Sequence, residues 1–202
     1  MICLAGGKVV LARYSSEFKV ENQLGWSLGA GSVRLKLSHY RSLPFDQLCR
    51  IFAFKRMIRI LVICTGNSCR SQIAEGLMRQ LGGDSVEVHS AGTHPAGMIH
   101  PMAIETMKER GIDISNQRSK SVSEFDGSRF DYAITVCDDA NQECPFFPGT
   151  KNRLHWSTPD PSFVPGTSEK RKEAFKQTIQ MLEGRIQDLL NGLKNKKANS
   201  KS

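Results

Sequence analysis

The segment Cys64-Thr65-Gly66-Asn67-Ser68-Cys69-Arg70-Ser71 separates two patterns of different period. Before it, residues 58–63 are a β-branched run about as long as a buried strand. After it, Ile73, Ala74, Leu77, Met78 and Leu81 recur at helical spacing until Gly82-Gly83. A small, polar loop between a strand and a helix lies where open α/β sheets bind ligands. The five residues between Cys64 and Arg70 suffice for a loop whose N–H groups point inward just before a helix N-terminus. Such a nest holds a tetrahedral oxyanion. Thr65, Gly66, Asn67, Ser68 and Cys69 supply the nest, and Arg70 adds a planar fork for two of the anion's oxygens. These positive surroundings predict a Cys64 thiol below its ordinary pKa of about 8.5, an activated nucleophile facing the anion. Ser71 can donate to that sulfur, and Asn67 can brace the loop.

The remaining pattern alternates in the same way. Strands are predicted at 58–63, 86–89, 131–136 and 153–156, and helices at 71–81, 101–110 and 170–193. The last helix carries Phe175, Ile179, Leu182, Ile186, Leu189 and Leu190 along one face. Strand and helix in turn indicate an α/β fold with an open, mostly parallel sheet covered by helices. Residues 1–56 are different: Gly- and Ser-rich, with no sustained period. They are expected to be a poorly ordered basic N-terminal extension, from an upstream start with Met57 as the functional one, or a targeting or regulatory arm. Residues 42–56 have enough apolar side chains for a short helix. Residues 57–193 are the functional domain, and 194–202 a solvated basic tail.

The net charge of +8 suggests a polyanionic partner until it is divided by region. Residues 1–56 carry nine basic and three acidic side chains, and the tail adds four lysines. The body, with 15 basic and 17 acidic residues, is slightly negative. Basic character at the ends argues against nucleic acid as the fold's partner. No run approaches the roughly 20 apolar residues of a membrane span. Six cysteines without a secretory pattern point to a reducing, cytoplasmic setting in which clustered thiols are reactive. Cys3 and Cys49 lie in the extension and receive no role.

The run ILVICTGNSCRSQIAEG resembles the low-molecular-weight tyrosine phosphatase superfamily with its C-x5-R-S loop, and most closely its arsenate reductase branch. The similarity extends through His89-Ser90-Ala91-Gly92, Ile112-Asp113-Ile114-Ser115 and His155-Trp156, covering about 57–190. It implies a flavodoxin-like sheet of four parallel strands, the phosphotyrosine phosphatase I fold.

Cys64 and Arg70 serve a phosphatase and a reductase equally, since arsenate and phosphate share charge and shape. A phosphatase adds a general acid, and Asp160-Pro161 resembles the family's acid loop. The reductases have the matching Asp too, so Asp160 does not discriminate. A reductase needs more thiols. Cys137 ends a predicted parallel strand at the sheet edge that holds Cys64, and Cys144 follows seven residues later in a polar loop. The stretch from Val136 to Pro145 resembles the reductases' redox segment. By that resemblance, the disulfide passes from Cys64–Cys137 to Cys137–Cys144 and is then reduced by thioredoxin, an external reductant with no bound cofactor. A mycothiol-type donor is the other system on such scaffolds. Arsenate is the expected substrate, with phosphate or sulfate competing, and a monomer the expected state.

Cys69 is read as structural. Some reductases of this type hold potassium near the loop. Asn67, Glu75 and Ser90 match the first part of that site, but its later positions fall on Arg118 and Lys120, whose own charges can replace a cation. No potassium dependence is therefore expected. His89, His94 and His100 are close in sequence, but no Cys or carboxylate pattern closes a metal site around them.

Overall fold

Ile60, Leu61, Val62 and Ile63 are all buried, a pattern that suits only a strand covered on both faces. In the computed structural model, which describes residues 10–14, 17–21, 57–143 and 149–199, that strand is β3 (Ile58–Cys64). It lies inside a four-stranded sheet with β4 (Val86–Gly92), β5 (Phe130–Thr135) and β6 (Thr150–His155), in the order β4-β3-β5-β6. Every pairing is parallel, the flavodoxin-like arrangement expected. The strand order reverses between β3 and β5, so a crevice opens at the carboxyl ends of those two strands. Each fully buried Ile, Leu or Val of β3 stabilises the fold by about 1.5–3 kcal/mol, which makes this strand the centre of the core.

Helices α1 (Arg70–Gly82), α2 (Pro101–Glu109), α3 (Asp138–Glu143) and α4 (Ser168–Asn199) connect and cover the sheet. α4 packs on α1 and α2, burying Phe175, Ile179, Leu182, Ile186, Leu190 and Leu193; Leu189 is only partly buried. A Cβ at Gly76 of α1 would lie 2.6 Å from Ile114 Cγ2, so this helix needs a glycine to seat against the Ile112–Ile114 turn.

Several elements differ from the sequence expectation, among them β4, which runs on to Gly92. The polar loop expected after Cys137 is wound into α3. β6 begins at Thr150 rather than Arg153, because an edge strand with mostly exposed side chains carries no hydrophobic signal. α4 continues through Lys194 and Lys196 to Asn199, where basic side chains suit the negative end of the helix dipole. In the extension, assigned no element, β1 (Val10–Tyr14) pairs antiparallel with β2 (Glu17–Glu21). The chain divides into two compact units, Met1–Phe54 and Lys55–Ser202. The short helix read in 42–56 lies outside the described residues.

Candidate active site

The loop 65–69 joins β3 to α1, and a parallel segment shapes it. The amides of Thr93, His94, Ala96 and His100 donate to the carbonyls of Cys64, Thr65, Gly66 and Ser68 at 2.8–3.1 Å. Because each peptide is planar and trans, a carbonyl turned toward that segment turns the next N–H the other way. The amides of Gly66, Asn67 and Cys69 therefore face the concave side. The Asn67 N–H makes this explicit, donating to Cys64 Sγ at 3.1 Å. β4 must pass close for this to work, and a Cβ at Gly92 would lie 2.6 Å from the Thr65 carbonyl. Asn67 has φ +44°, alone among the described non-glycine residues, a conformation that asparagine tolerates better than most.

Beneath the loop runs a buried polar network whose hydrogen-bond directions follow from its members. The Asn67 Oδ1 accepts from the Lys120 amide and from Gln72 Nε2, which orients its amide group. Its Nδ2 donates to Ser71 and to Ser90, both at 2.9 Å. Ser90 then donates to Glu75. Ser71, accepting from Asn67, has its own hydrogen free for Cys64 Sγ, 2.9 Å away. Asn67, Ser71, Gln72, Glu75 and Ser90 are all essentially inaccessible. Glu75 is balanced by Arg79 at 2.5 Å and by Lys120 Nζ at 3.5 Å; the Lys120 ammonium also donates to the Arg118 carbonyl at 3.1 Å. The Arg118 side chain points instead to Glu124 at the surface. Where a potassium ion would need ligands, then, this chain presents the cationic end of Lys120, and the residues do not fit that ion.

Cys64 is buried, and burial pushes its thiol up; the Ser71 hydrogen bonds oppose this most, while Cys137 adds to it and Arg70 pulls weakly the other way. The lowered thiol expected from the sequence is thus reversed in this conformation, because desolvation outweighs the positive surroundings. Cys69 is pushed up to about 12, by burial above all, and donates or accepts little beyond a contact with the Ser68 hydroxyl.

Arg70 reaches across to the segment after β6. Its Nη1 donates to the Thr158 carbonyl at 2.9 Å and its Nη2 to Asp160 Oδ2 at 2.5 Å, while Nε has no partner among the described residues. The other Asp160 oxygen accepts from the Ser162 amide and hydroxyl. Asp160 thus caps the turn Pro161–Phe163 and anchors the arginine. Thr158 carried no sequence signal, since it meets Arg70 only through its backbone carbonyl.

Cys137, buried two residues beyond β5, is placed by the sheet register. Ile63 pairs with Thr135, which sets Cys137 beside Thr65 on the neighbouring strand end, with Sγ 3.4 Å from Thr65 Oγ1. Cys64 and Cys137 are free thiols. Cys144 lies outside the described residues. The three histidines have separate partners: His89 meets Glu87, His94 meets the Thr93 hydroxyl, and His100 caps α2 and stacks on Phe175. Among the described residues no three His, Cys, Asp or Glu side chains are grouped to hold a metal ion, and no helix is long and apolar enough to cross a membrane.

A buried thiol at the mouth of an amide-lined loop, with an arginine that is paired to an aspartate, is an arrangement on an α/β fold that can hold a tetrahedral oxyanion against a sulfur. Residues 59–199 match the low molecular weight phosphotyrosine protein phosphatase family, and the chain belongs to it. Among its curated relatives, an arsenate reductase of Bacillus subtilis is 40% identical over 129 residues, 64% of this chain and 92% of that protein. An arsenate reductase 2 of Staphylococcus epidermidis is 40% identical over 127 residues, 62% of this chain and 96% of that one. A thioredoxin-dependent arsenate reductase of Corynebacterium glutamicum has a similar structure, with a TM-score of 0.57 and 32% identity over 71% of this chain and 65% of that one. A low molecular weight protein tyrosine phosphatase from T. tengcongensis superposes with a TM-score of 0.56 and 29% identity, over 67% and 99%.

Proposed function

We propose that this protein reduces arsenate to arsenite by a three-thiol relay, with a thioredoxin-type protein in the cytoplasm as external reductant. The observation that carries the reading is the second buried thiol, Cys137, one strand away from Cys64 and beside Thr65 of the anion loop. Phosphate-ester hydrolysis has no use for it. In the first step the Cys64 thiolate attacks arsenic and a hydroxide leaves as water. Cys137 then attacks the Cys64 sulfur; the As–S electron pair stays on arsenic, which is released as arsenite, two electrons richer, and a Cys64–Cys137 disulfide forms. Cys144 attacks Cys137, Cys64 leaves as a thiolate, and the Cys137–Cys144 disulfide is reduced from outside. The amides of Gly66, Asn67 and Cys69 and the fork of Arg70 hold the oxyanion, and the Ser71 hydroxyl stabilises Cys64 whenever it carries charge. The electrons come from protein thiols, so no bound cofactor is required.

The position of Asp160 beside Arg70 favours one second reading, a phosphatase in which Asp160 protonates a leaving oxygen. One assay separates the two. Arsenate-dependent NADPH oxidation is followed with thioredoxin and thioredoxin reductase, beside hydrolysis of p-nitrophenyl phosphate. We expect arsenate-dependent turnover that disappears in Cys137→Ser and in Cys144→Ser, while Cys64→Ser loses every activity. Vigorous ester hydrolysis without arsenate-dependent oxidation would establish the phosphatase instead.

A further inference from the structure

The segment between β6 and the turn Pro161–Phe163 presents both acceptors that hold Arg70, the Thr158 carbonyl and Asp160. Two acceptors on a short connection aim a guanidinium only if the connection is itself fixed. The sheet does this only as far as Trp156, whose amide donates to the Thr135 carbonyl at 2.8 Å. Ser157 and Thr158 make no backbone–backbone hydrogen bond among the described residues. Their hold comes from α4. Arg185 Nη1 donates to the Ser157 carbonyl at 2.9 Å and to the Thr158 hydroxyl at 3.1 Å. That hydroxyl gives its one hydrogen to the Trp156 carbonyl at 2.7 Å, which leaves its oxygen to accept from Arg185. Arg185 directly precedes Ile186 and stands one turn after Leu182, both fully buried. Core packing therefore fixes the point from which it reaches.

A guanidinium carries more N–H donors than the two that Arg70 spends on this segment, and its buried Nε has no partner among the described residues. Arg70 can therefore keep both holds while it takes an oxyanion, and those holds set the angle of its fork. We propose that Arg185 is a positioning residue for the oxyanion site, fixing Ser157 and Thr158 so that the Thr158 carbonyl and Asp160 aim the Arg70 guanidinium at the anion. This rests on the reading of Arg70 as an anion ligand and is independent of the thiol relay. Arg185 reaches the site only through the acid segment: its hydrogen bonds go to Ser157 and Thr158, and neither goes to the loop 65–69 or to Arg70. The Ser157 bond is exposed and the Thr158 bond partly buried, so the hold is moderate in strength.

The test measures binding of inorganic phosphate to the full chain by titration calorimetry, which needs no turnover. Arg185→Ala should weaken phosphate binding by roughly three- to tenfold, through misalignment of Arg70. Arg185→Lys, whose ammonium has donors for the same two acceptors, should recover most of that loss. Thr158→Val keeps the carbonyl that Arg70 uses and removes the hydroxyl that Arg185 holds. It should copy Arg185→Ala, and the two together should exceed the larger single effect only slightly, because they share one contact. Arg110→Ala breaks the ion pair to Glu183 on the same helix without touching the acid segment, and should bind phosphate as the parent does. Arg70→Lys, which has lost the fork, should bind phosphate more weakly than the parent. Parent-like affinity in Arg185→Ala, or an equal loss in Arg110→Ala, would overturn the positioning role and leave Arg70 as an anion ligand. A parent that binds no phosphate, or an Arg70→Lys that binds it as the parent does, would remove the anion reading of Arg70 and the role of Arg185 with it.

Discussion

Arg70 gives both terminal nitrogens to the acid segment, one to the Thr158 carbonyl and one to Asp160. A guanidinium neutralised in this way lends Cys64 only a small part of its charge, and burial then dominates that thiol. Asp160→Asn should therefore free Arg70's charge and lower the Cys64 pKa. A raised pKa means that the thiol form prevails at neutral pH and that alkylation quickens as pH rises toward it. In the variant, the rate of Cys64 alkylation by iodoacetamide against pH should move to lower pH; an unmoved profile would show that Asp160 does not restrain Arg70. At this scale the sequence disclosed much. Cys64, Ser71 and Asn67 meet as the loop spacing suggested, because a short loop before a helix leaves few alternatives, while Arg70 turns to the acid segment. The sign of the thiol's shift was not legible, since it depends above all on burial. Nor were Thr158 and Gln72, which act through a backbone carbonyl and a hydrogen bond to Asn67.

Helix α1, strand β4 and the loop that carries Lys120 are joined under the anion site by Glu75, Ser90 and Lys120. A buried carboxylate is tolerable only when paired. Arg79 pairs Glu75 from a half-exposed position, and Lys120 from a buried one. Lys120→Met should lower stability by about 2 kcal/mol, less than a fully broken buried pair because Arg79 stays, as read by denaturant unfolding. The parent should turn over equally in potassium and sodium at matched ionic strength, and a clear gain with potassium would contradict the role given to Lys120. The elements legible in the sequence were those with a hydrophobic period: β3 and β5, α1, α2 and the apolar face of α4. Those that escaped lack one. α3 is polar apart from the buried Ala140, β6 was recognised only in its second half because its side chains are mostly exposed, and β1 and β2 are five residues each, short enough for alternation to pass unnoticed.

Across the whole chain, the positive charge and the chemistry are segregated. The unit Lys55–Ser202 holds every described site residue, and the family match begins only at residue 59. We propose that residues 1–56 are an extension outside the catalytic unit. A chain starting at Met57 should then keep the arsenate-dependent rate of the full chain and unfold in a single transition; loss of the rate would give the extension a part in the chemistry. The sheet order placed the site where an open α/β sheet is expected to carry one, but nothing in the sequence indicated that residues 93–100 would shape the loop. That segment holds the anion cradle by the carbonyls of Cys64, Thr65, Gly66 and Ser68, so the cradle has no melting event of its own. Deforming it means breaking several hydrogen bonds donated by amides of an adjoining stretch at once. Heritable change in which tetrahedral anion is preferred can therefore enter through that adjoining stretch, while the loop itself stays the same letter for letter.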